Sequence, residues 1–198
     1  MIRRMLDALD RWVARHEHYR PVGDGGYICR IRIARYRRAP LVLADGTAVN
    51  PGDPIAELHL DNLAAAALSR SGKGGLRLRR EMLRMLPALA RDLSSRPEYR
   101  DICAVGAATL ISSSTRLVAN LGFEPRPLPA YTRWWLGTWE RILLASYHPE
   151  GRRRLTRGRR AELQHVWISR RALLRYLDAD GPAEHTGAPR VPVRRETV

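Results

Sequence analysis

Residues 41–62 read LVLADGTAVNPGDPIAELHLDN, and this stretch sets the pattern around which the rest of the chain is organised. Asp45-Gly46 and Pro51-Gly52 are turn-forming pairs, because glycine adopts positive φ at little cost and proline presets φ at about −65°. The apolar residues between and after these pairs have the composition of strands. The stretch therefore predicts strand, turn and strand, with the clearer strand at residues 55–60.

Alternation along that second strand separates an apolar face from a polar one. Glu57 and His59 point the same way, because successive side chains of a strand point to opposite faces. Two such residues lie within roughly 7 Å of each other. Asp61 follows where the strand opens into a loop. We therefore take Glu57, His59 and Asp61 as candidate catalytic residues, and the alternative for Glu57 and His59 is a salt-bridged strand face.

Length and composition predict one globular domain. The chain has 198 residues, 44% of them hydrophobic and 28% charged, which is ordinary for a folded protein with a core of its own. We assign residues 1–178 to the domain and predict that residues 179–198 form a disordered basic tail. Lone Cys29 and Cys103 fit a reducing compartment. The absence of a signal peptide or an 18-residue apolar run predicts a cytoplasmic protein without a membrane span.

The charge of +15 comes from 35 basic and 20 acidic residues, and Lys73 is the only lysine. Such a balance suits a polyanionic partner. A GC-rich genome also favours arginine over lysine codons, and we attribute most of the arginines to it. The cluster 152–160 is either a nucleic-acid contact or a solvated loop, and the lack of interleaved aromatic residues favours the loop. His16 and His18 are badly spaced for a shared metal ion on a helix, and no metal site is predicted.

The remaining pattern predicts an α/β sandwich on a single mixed sheet flanked by helices. The apolar run 102–111 is expected in the interior of the sheet. The other predicted elements are helices at 1–19, 76–93, 116–121, 131–147 and 170–177 and strands at 27–36 and 166–168. Ser169 is the expected cap of the last helix.

A glycine-rich, basic segment at residues 69–75 runs directly into the helix predicted at 76–93. Free backbone N–H groups and the helix dipole make such an arrangement able to bind phosphate. The candidate cofactor-binding residues are Arg70, Gly72, Lys73, Gly74 and Gly75. The alternative is a flexible surface loop with no ligand.

Two short motifs resemble those of the Gcn5-related N-acetyltransferases (GNATs). Residues 69–74 are similar to the family's pyrophosphate loop, Q/R-x-x-G-x-G/A, with serine at the first position. Residues 121–124, Leu-Gly-Phe-Glu, resemble the ending of a helix in that family. The resemblance implies a GNAT-like fold and an acyl-CoA cofactor. Val118 stands where the family often has its general-acid tyrosine, and Ile111 stands where an asparagine is common.

A second resemblance covers nearly the whole folded chain. Asp10-Arg11-Trp12, Arg30-Ile31-Arg32, the run GDPIAELHLDN at 52–62 and Trp167-Ile168-Ser169 resemble the YkoP-like family. That family contains small bacterial proteins and domains attached to polysaccharide deacetylases. It implies a cell-envelope polysaccharide context. The resemblances leave two functions open: an acyl-CoA-dependent N-acyltransferase, or an accessory domain that binds a glycan precursor or a deacetylase.

Overall fold

A computed structural model of the protein describes residues 16, 18–61, 74–111, 115–129, 134, 137–138 and 162–178. Of the predicted helices, those at 1–19 and 131–147 lie almost entirely outside these residues, and the tail at 179–198 lies wholly outside them. The described elements, in chain order, are β1 (Arg20–Pro21), β2 (Cys29–Arg35), β3 (Leu41–Val42), β4 (Ala48–Val49), β5 (Pro54–Leu60), α1 (Gly74–Ser95), a 3-10 turn (Pro97–Tyr99), β6 (Ala104–Ile111), α2 (Thr115–Asn120), β7 (Glu124–Pro127), β8 (Glu162–Ser169) and α3 (Arg170–Asp178).

The stretch that opens the chain's pattern at residues 41–62 contains the predicted turns and the predicted strand at 55–60, and it also contains a short strand, β4, that was not predicted. Strands β3 and β4 form a small antiparallel sheet, and Gly46 between them has φ of 83°. Asp45 accepts a hydrogen bond from the Thr47 amide at 3.0 Å, which closes the turn. Gly52, with φ of 96°, makes the next turn, which leads into β5.

Six strands form one mixed sheet in the order β1-β2-β5-β6-β8-β7. Strands β5 and β6 are parallel, and the other neighbouring pairs are antiparallel. Strand β6 therefore lies in the interior, between β5 and β8, which confirms the position predicted for the apolar run 102–111. The α/β architecture with a single mixed main sheet is likewise confirmed.

One side of the main sheet, here called the helical face, is covered by α1 and α3. Its contacts are apolar, because alternate strand residues meet the amphipathic faces of both helices. Pro87 lies inside α1 and does not start a second helix. The fully buried side chains of this core include Ile31, Ala56, Val105, Met85, Leu86, Leu89, Leu93 and Leu173.

The opposite side, here called the hairpin face, packs partly against the β3–β4 hairpin. A smaller apolar cluster forms there from Tyr36, Leu43, Val49, Ile55, Ala104 and Trp167. Trp167 lies directly over Gly106, where an added Cβ would come within 2.8 Å of the indole ring. The glycine is therefore required by the ring that covers it.

Three strand details differ from the prediction or extend it. Strand β2 is shorter than the predicted 27–36, and β8 is longer than 166–168 because its whole length pairs with β6. Phe123-Glu124-Pro125 has the composition of an outward turn, but strand β7 begins at Glu124 and contains both Pro125 and Pro127. A strand at the edge of a sheet needs no amide on its outer side, so it tolerates proline.

The helix ends follow the sequence. Gly122 has φ of 71° and stops α2, as predicted. Ser169 accepts a hydrogen bond from the Ala172 amide at 2.8 Å and caps α3, also as predicted. Within the described part of the chain, no helix has both the length and the hydropathy needed to cross a membrane.

Candidate functional site

The candidate residues of β5 lie on the hairpin face, opposite two arginines of β2. The antiparallel register pairs Arg30 with His59 and Arg32 with Glu57. Sequence alternation predicted that both pairs point away from the apolar core, and the burial of Ala56 and Leu58 confirms it. Because β2 and β5 are held in this register, cationic and acidic side chains are brought together across the strands.

Both carboxylates of the site are in ion pairs. The Glu57 carboxylate accepts a hydrogen bond from Arg32 Nε at 2.7 Å, and Asp61 accepts one from Arg30 at 2.8 Å. The Arg32 and Glu57 side chains are 26% and 30% exposed, so the pair is only partly screened by water. The salt-bridged strand face that the sequence left open as an alternative describes these contacts.

Tyr19 is a member of the site that the sequence analysis missed. The centroid of its ring lies 5.1 Å from the centroid of the His59 ring and 5.1 Å from the Arg32 guanidinium carbon. Burial, with a smaller contribution from the Glu57 carboxylate, raises the pKa of Tyr19 to about 12. The phenol therefore stays protonated and covers a cation and an imidazole at once.

The signal for Tyr19 was present but weak. The residue directly precedes Arg20 and Pro21 of β1, which pair with Ile31 and Arg30 of β2. An aromatic residue beside a strand start is common, and only the tertiary register brings this one over β5. The amphipathic pattern of residues 1–19 predicts a helix that ends at Tyr19.

A groove of about 650 Å³ opens at the edge of the sheet next to this site. Glu57 and Arg32 form part of its wall, together with Arg20, Arg35 and Ile33. His59 is half-buried beneath Tyr19 and is not among the described lining residues of the groove. Trp134 is 68% exposed.

The pairing of β5 with β6 ends early. It covers three residue pairs, from Ile55–Ala104 to Glu57–Gly106. Strand β5 nevertheless continues to Leu60 along β2, and β6 continues to Ile111 along β8. Beyond Glu57, the facing backbone edges of the two strands are therefore no longer paired with each other.

Helix α1 starts near the end of the sheet at which β5 and β6 separate. Near its start, Met82 contacts Cys29 (sulfur to sulfur, 3.9 Å), which is paired with the last residue of β5. Near its end, the Leu93 carbonyl accepts a hydrogen bond from Arg170. Arg170 directly follows Ser169, which is paired with Ala104 at the start of β6. The helix thus runs antiparallel to β5 and β6, as a helical connection between two parallel strands requires.

The predicted phosphate loop is described only at its end. Gly74 and Gly75 form the first turn of α1 rather than the preceding loop. Arg70, Gly72 and Lys73 lie outside the described residues, as does the arginine cluster 152–160. The role of all five loop residues in cofactor binding stays a prediction.

A second polar group on the hairpin face was also missed by the sequence analysis. His165 is 8% exposed and packs edge-on against Trp167, with the ring centroids 4.4 Å apart. Its Nδ1 lies 3.5 Å from an Arg38 guanidinium nitrogen. Burial, helped by Arg38, lowers the pKa of His165 to about 3, so the imidazole is neutral at physiological pH.

Val118, which stands at the position of the general-acid tyrosine in the resemblance to GNATs, cannot donate a proton. Val118 is apolar and packs at the border of the core on the helical face.

The two cysteines form no disulfide, and burial with the nearby Asp61 carboxylate raises the pKa of Cys29 to about 12. Among the described residues, no group of histidine, cysteine and carboxylate side chains is arranged to hold a metal ion.

One comparison with known proteins gives a match. The family model of the YkoP domain matches residues 1–177 of the chain. The match therefore covers the described elements of the fold, except for Asp178 at the end of α3. No curated protein and no solved structure matches the chain.

Proposed function

This chain belongs to the YkoP family, and on that premise we propose that it is an acyl-CoA-dependent N-acyltransferase acting on an amine of a cell-envelope glycan precursor. The observation that carries the proposal is the early end of pairing between β5 and β6 at Glu57 and Gly106. No described residue pairs with the facing edges of β5 and β6 beyond these two residues, so amides and carbonyls on both sides can bind a ligand. Such a gap between two strands suits a ligand that has amides of its own.

The pantetheine arm of acyl-CoA fits this description. It is extended and carries amide groups, so it can hydrogen-bond to main-chain groups much as an added strand does. The part of β5 beyond the last pair with β6 is Leu58, His59 and Leu60. Only His59 among them has a polar side chain, and it would be the nearest titratable group to a thioester held in the gap.

The start of α1 offers a place for the pyrophosphate. Gly74 and Gly75 make the first turn of a 22-residue helix, and the first-turn amides of a helix have no partners within the helix. Those amides and the helix dipole favour an anion. Because the helix begins on the side where β5 and β6 separate, one extended ligand can reach both features.

The reaction is a direct transfer. The amine nitrogen attacks the thioester carbonyl carbon, an N–C bond forms, and the C–S bond breaks. The amine gives up its proton to His59, directly or through a water molecule, and coenzyme A leaves as a thiolate that then takes a proton. Glu57 is held by Arg32, so we assign it a positioning role, and Asp61 the same role with Arg30.

Valine in place of a general-acid tyrosine at position 118 is compatible with this chemistry. A thiol has a pKa of about 8.5, so a thiolate is a moderately stable leaving group at neutral pH. A general acid would speed its departure without being indispensable. We therefore expect a low turnover rate.

Binding is tested first, by calorimetry with acetyl-CoA. We expect saturable binding that weakens at least about tenfold in Gly75→Asp, because the new carboxylate repels phosphates at the helix start. Ser95→Asp makes the same charge change at the opposite end of α1, where Ser95 is exposed, and should leave binding unchanged. No heat at millimolar acetyl-CoA would end the proposal.

Transfer is tested with radiolabelled acetyl-CoA and glucosamine. His59→Ala should lower kcat by about 10²-fold, the usual contribution of a general base, with the dissociation constant for acetyl-CoA unchanged. Thermal melting of the same variant should match the parent protein. Unchanged turnover would remove His59 from the catalytic residues.

The ion pairs favour a second candidate, a non-catalytic accessory domain. Glu57 and Asp61 are already neutralised by arginines, and Val118 is apolar. Such a domain would bind a glycan precursor or a polysaccharide deacetylase without transferring an acyl group. Binding of acetyl-CoA without transfer, or capture of a deacetylase that survives the double change Glu57→Ala with His59→Ala, would favour this candidate.

A further inference from the structure

We propose that the outer edge of β2 is a docking site for an extended acidic segment of a partner protein, which joins the sheet as an additional strand. One side of β2 is paired with β5 along its full length. The other side is paired with β1 only at Ile31 and Arg30. Beyond Ile31, no residue in the described ranges pairs with this edge.

Main-chain groups of β2 point towards the open edge. Tyr36 exchanges hydrogen bonds with the turn before β5, since its amide donates to Asp53 at 2.9 Å and its carbonyl accepts from Gly52 at 2.8 Å. Amides alternate in direction along an antiparallel strand, so those of Ile33 and Arg35 face the other way. Neither residue's main chain hydrogen-bonds to any described residue. These groups form a template for strand addition.

At His18, the described chain before β1 does not continue along this edge. Antiparallel continuation of β1 would place His18 opposite Ile33, because Arg20 is opposite Ile31. His18 instead has φ of 54° and is the only non-glycine residue with positive φ among those described. This left-handed conformation is unfavourable for an ordinary side chain and ends the strand. The bend keeps the edge at Ile33 and Arg35 uncovered by β1.

The side chains around the edge define the chemistry of the partner. Ile33 is 46% exposed and lines the groove of about 650 Å³. Two carboxylates of the groove already have partners: Glu98 is paired with Arg20, and Glu57 with Arg32.

The remaining charge is positive. Exposed Arg35 donates to the Gly52 carbonyl at 3.1 Å, and neither it nor exposed Arg37 contacts a carboxylate within the described residues. Both line the groove. An occupant that neutralises these guanidinium groups and covers Ile33 must carry carboxylates and at least one apolar side chain.

A second copy of this chain fits the edge poorly. Each copy has a formal charge of +15, and pairing two β2 edges would bring the same arginines face to face. Cationic side chains at an edge are a common device against self-association. Charge complementarity therefore selects an acidic peptide as the occupant.

The probe is a fluorescent peptide of about eight residues that alternates glutamate and valine, a length typical of one strand. We expect saturable binding to the full chain, measured by anisotropy, that weakens as salt is raised. The matched peptide that alternates lysine and valine should not bind. Methylating one alternate set of peptide amides should abolish binding while methylating the other set does not, because only one set faces the edge.

Charge reversal tests the location. Arg35→Glu with Arg37→Glu should weaken binding by about tenfold or more. Arg79→Glu with Arg80→Glu makes the same charge change on exposed residues of α1 and serves as the control. Ile33→Pro removes an outward amide and should also abolish binding, with a retained melting transition as the check on folding.

Several results would overturn the proposal. One is equal weakening by both double variants, which would reveal only non-specific charge attraction. Another is a dimer in sedimentation experiments that Ile33→Pro dissociates, since a second copy would then be the occupant. Insensitivity to the pattern of amide methylation would exclude strand addition. None of these outcomes depends on acyl-CoA binding.

Discussion

The two faces of the main sheet are built from the same alternating strands but serve different ends. On the helical face, side chains such as Ile31 and Val105 are completely buried against α1 and α3. On the hairpin face, an apolar cluster around Trp167 covers only part of the sheet, and ion pairs cover β2 and β5. The contrast indicates that stability comes mainly from the helical face and that the hairpin face holds the groups able to bind or react.

The physical reason lies in the cost of burying polar groups. A charged side chain can be buried only with a partner, so residues with useful chemistry collect where water still reaches. Four predictions test how far the two faces differ, in order of decreasing effect.

The largest effect is expected from a cavity on the helical face. Leu89→Ala should lower the free energy of unfolding by about 2–5 kcal/mol, because Leu89 is completely buried and α1 cannot close over the lost volume. Urea denaturation measures the change. Val42→Ala on the hairpin, where the side chain is 61% exposed, should cost no more than about 0.5 kcal/mol. Equal costs at the two positions would contradict the division between the faces.

The next effect concerns a buried titratable group on the hairpin face. His165 has a pKa lowered from 6.5 to about 3 by burial and by Arg38. Between about pH 3 and pH 6.5, His165 is protonated in the unfolded chain but neutral in the folded protein. The free energy of unfolding should therefore fall as pH drops from about 6.5 towards 3, by an amount on the order of a few kcal/mol, and should not respond to His165 above this range.

The pH dependence is best measured as a difference from His165→Gln, which cannot titrate. Urea denaturation of both proteins from pH 7 to pH 4 separates this histidine from all other groups. The wild-type protein should lose stability faster than the variant as the pH falls. Parallel curves would show that His165 is protonated in the folded state.

A smaller effect is expected from overpacking beneath the indole. Gly106→Ala should cost about 1–3 kcal/mol, because the added Cβ would lie 2.8 Å from the Trp167 ring. Gly26→Ala is the control, since nothing lies within 4 Å of a Cβ there. Part of the cost should disappear in the background Trp167→Phe, measured again by denaturation. Additive costs would mean that the contact with Trp167 is not the cause.

The smallest effect on stability is expected from the ion pair of the site. A double-mutant cycle with Arg32→Gln and Glu57→Gln should give a coupling of about 0.5–1 kcal/mol, because both side chains are roughly a quarter to a third exposed. The same substitutions should weaken acetyl-transfer far more than they weaken the fold. A coupling of several kcal/mol would instead place this pair among the structural elements of the sheet.

Local pattern was enough to predict several parts of the fold. Alternation placed Glu57 and His59 together, turn chemistry placed Gly46, and apolar density placed β6 in the interior. Each of these inferences depends on residues that are close in the chain. The pattern failed at β7, where two prolines indicate a turn unless the strand is known to lie at an edge.

The pairing of side chains could not be predicted, since it depends on long-range register. Arg32 meets Glu57 because β2 and β5 are neighbours in one alignment, and a shift by one residue would separate them. Tyr19 reaches His59 only because β1, which it directly precedes, pairs with β2 next to β5. His165 becomes a neutral buried base only once β8 has inserted between β6 and β7.

The sequence by itself determined most of the longer elements, their amphipathic faces and the residues able to carry chemistry, because those properties arise from local periodicity and turn preference. The tertiary structure alone decided which of those residues meet. It paired Glu57 and Asp61 with arginines, ended the pairing of β5 with β6 at Gly106, and left the edge of β2 beyond Ile31 without a pairing strand in the described part of the chain. The reason is that strand order and register are set by burial summed over the whole sheet, which no single segment encodes.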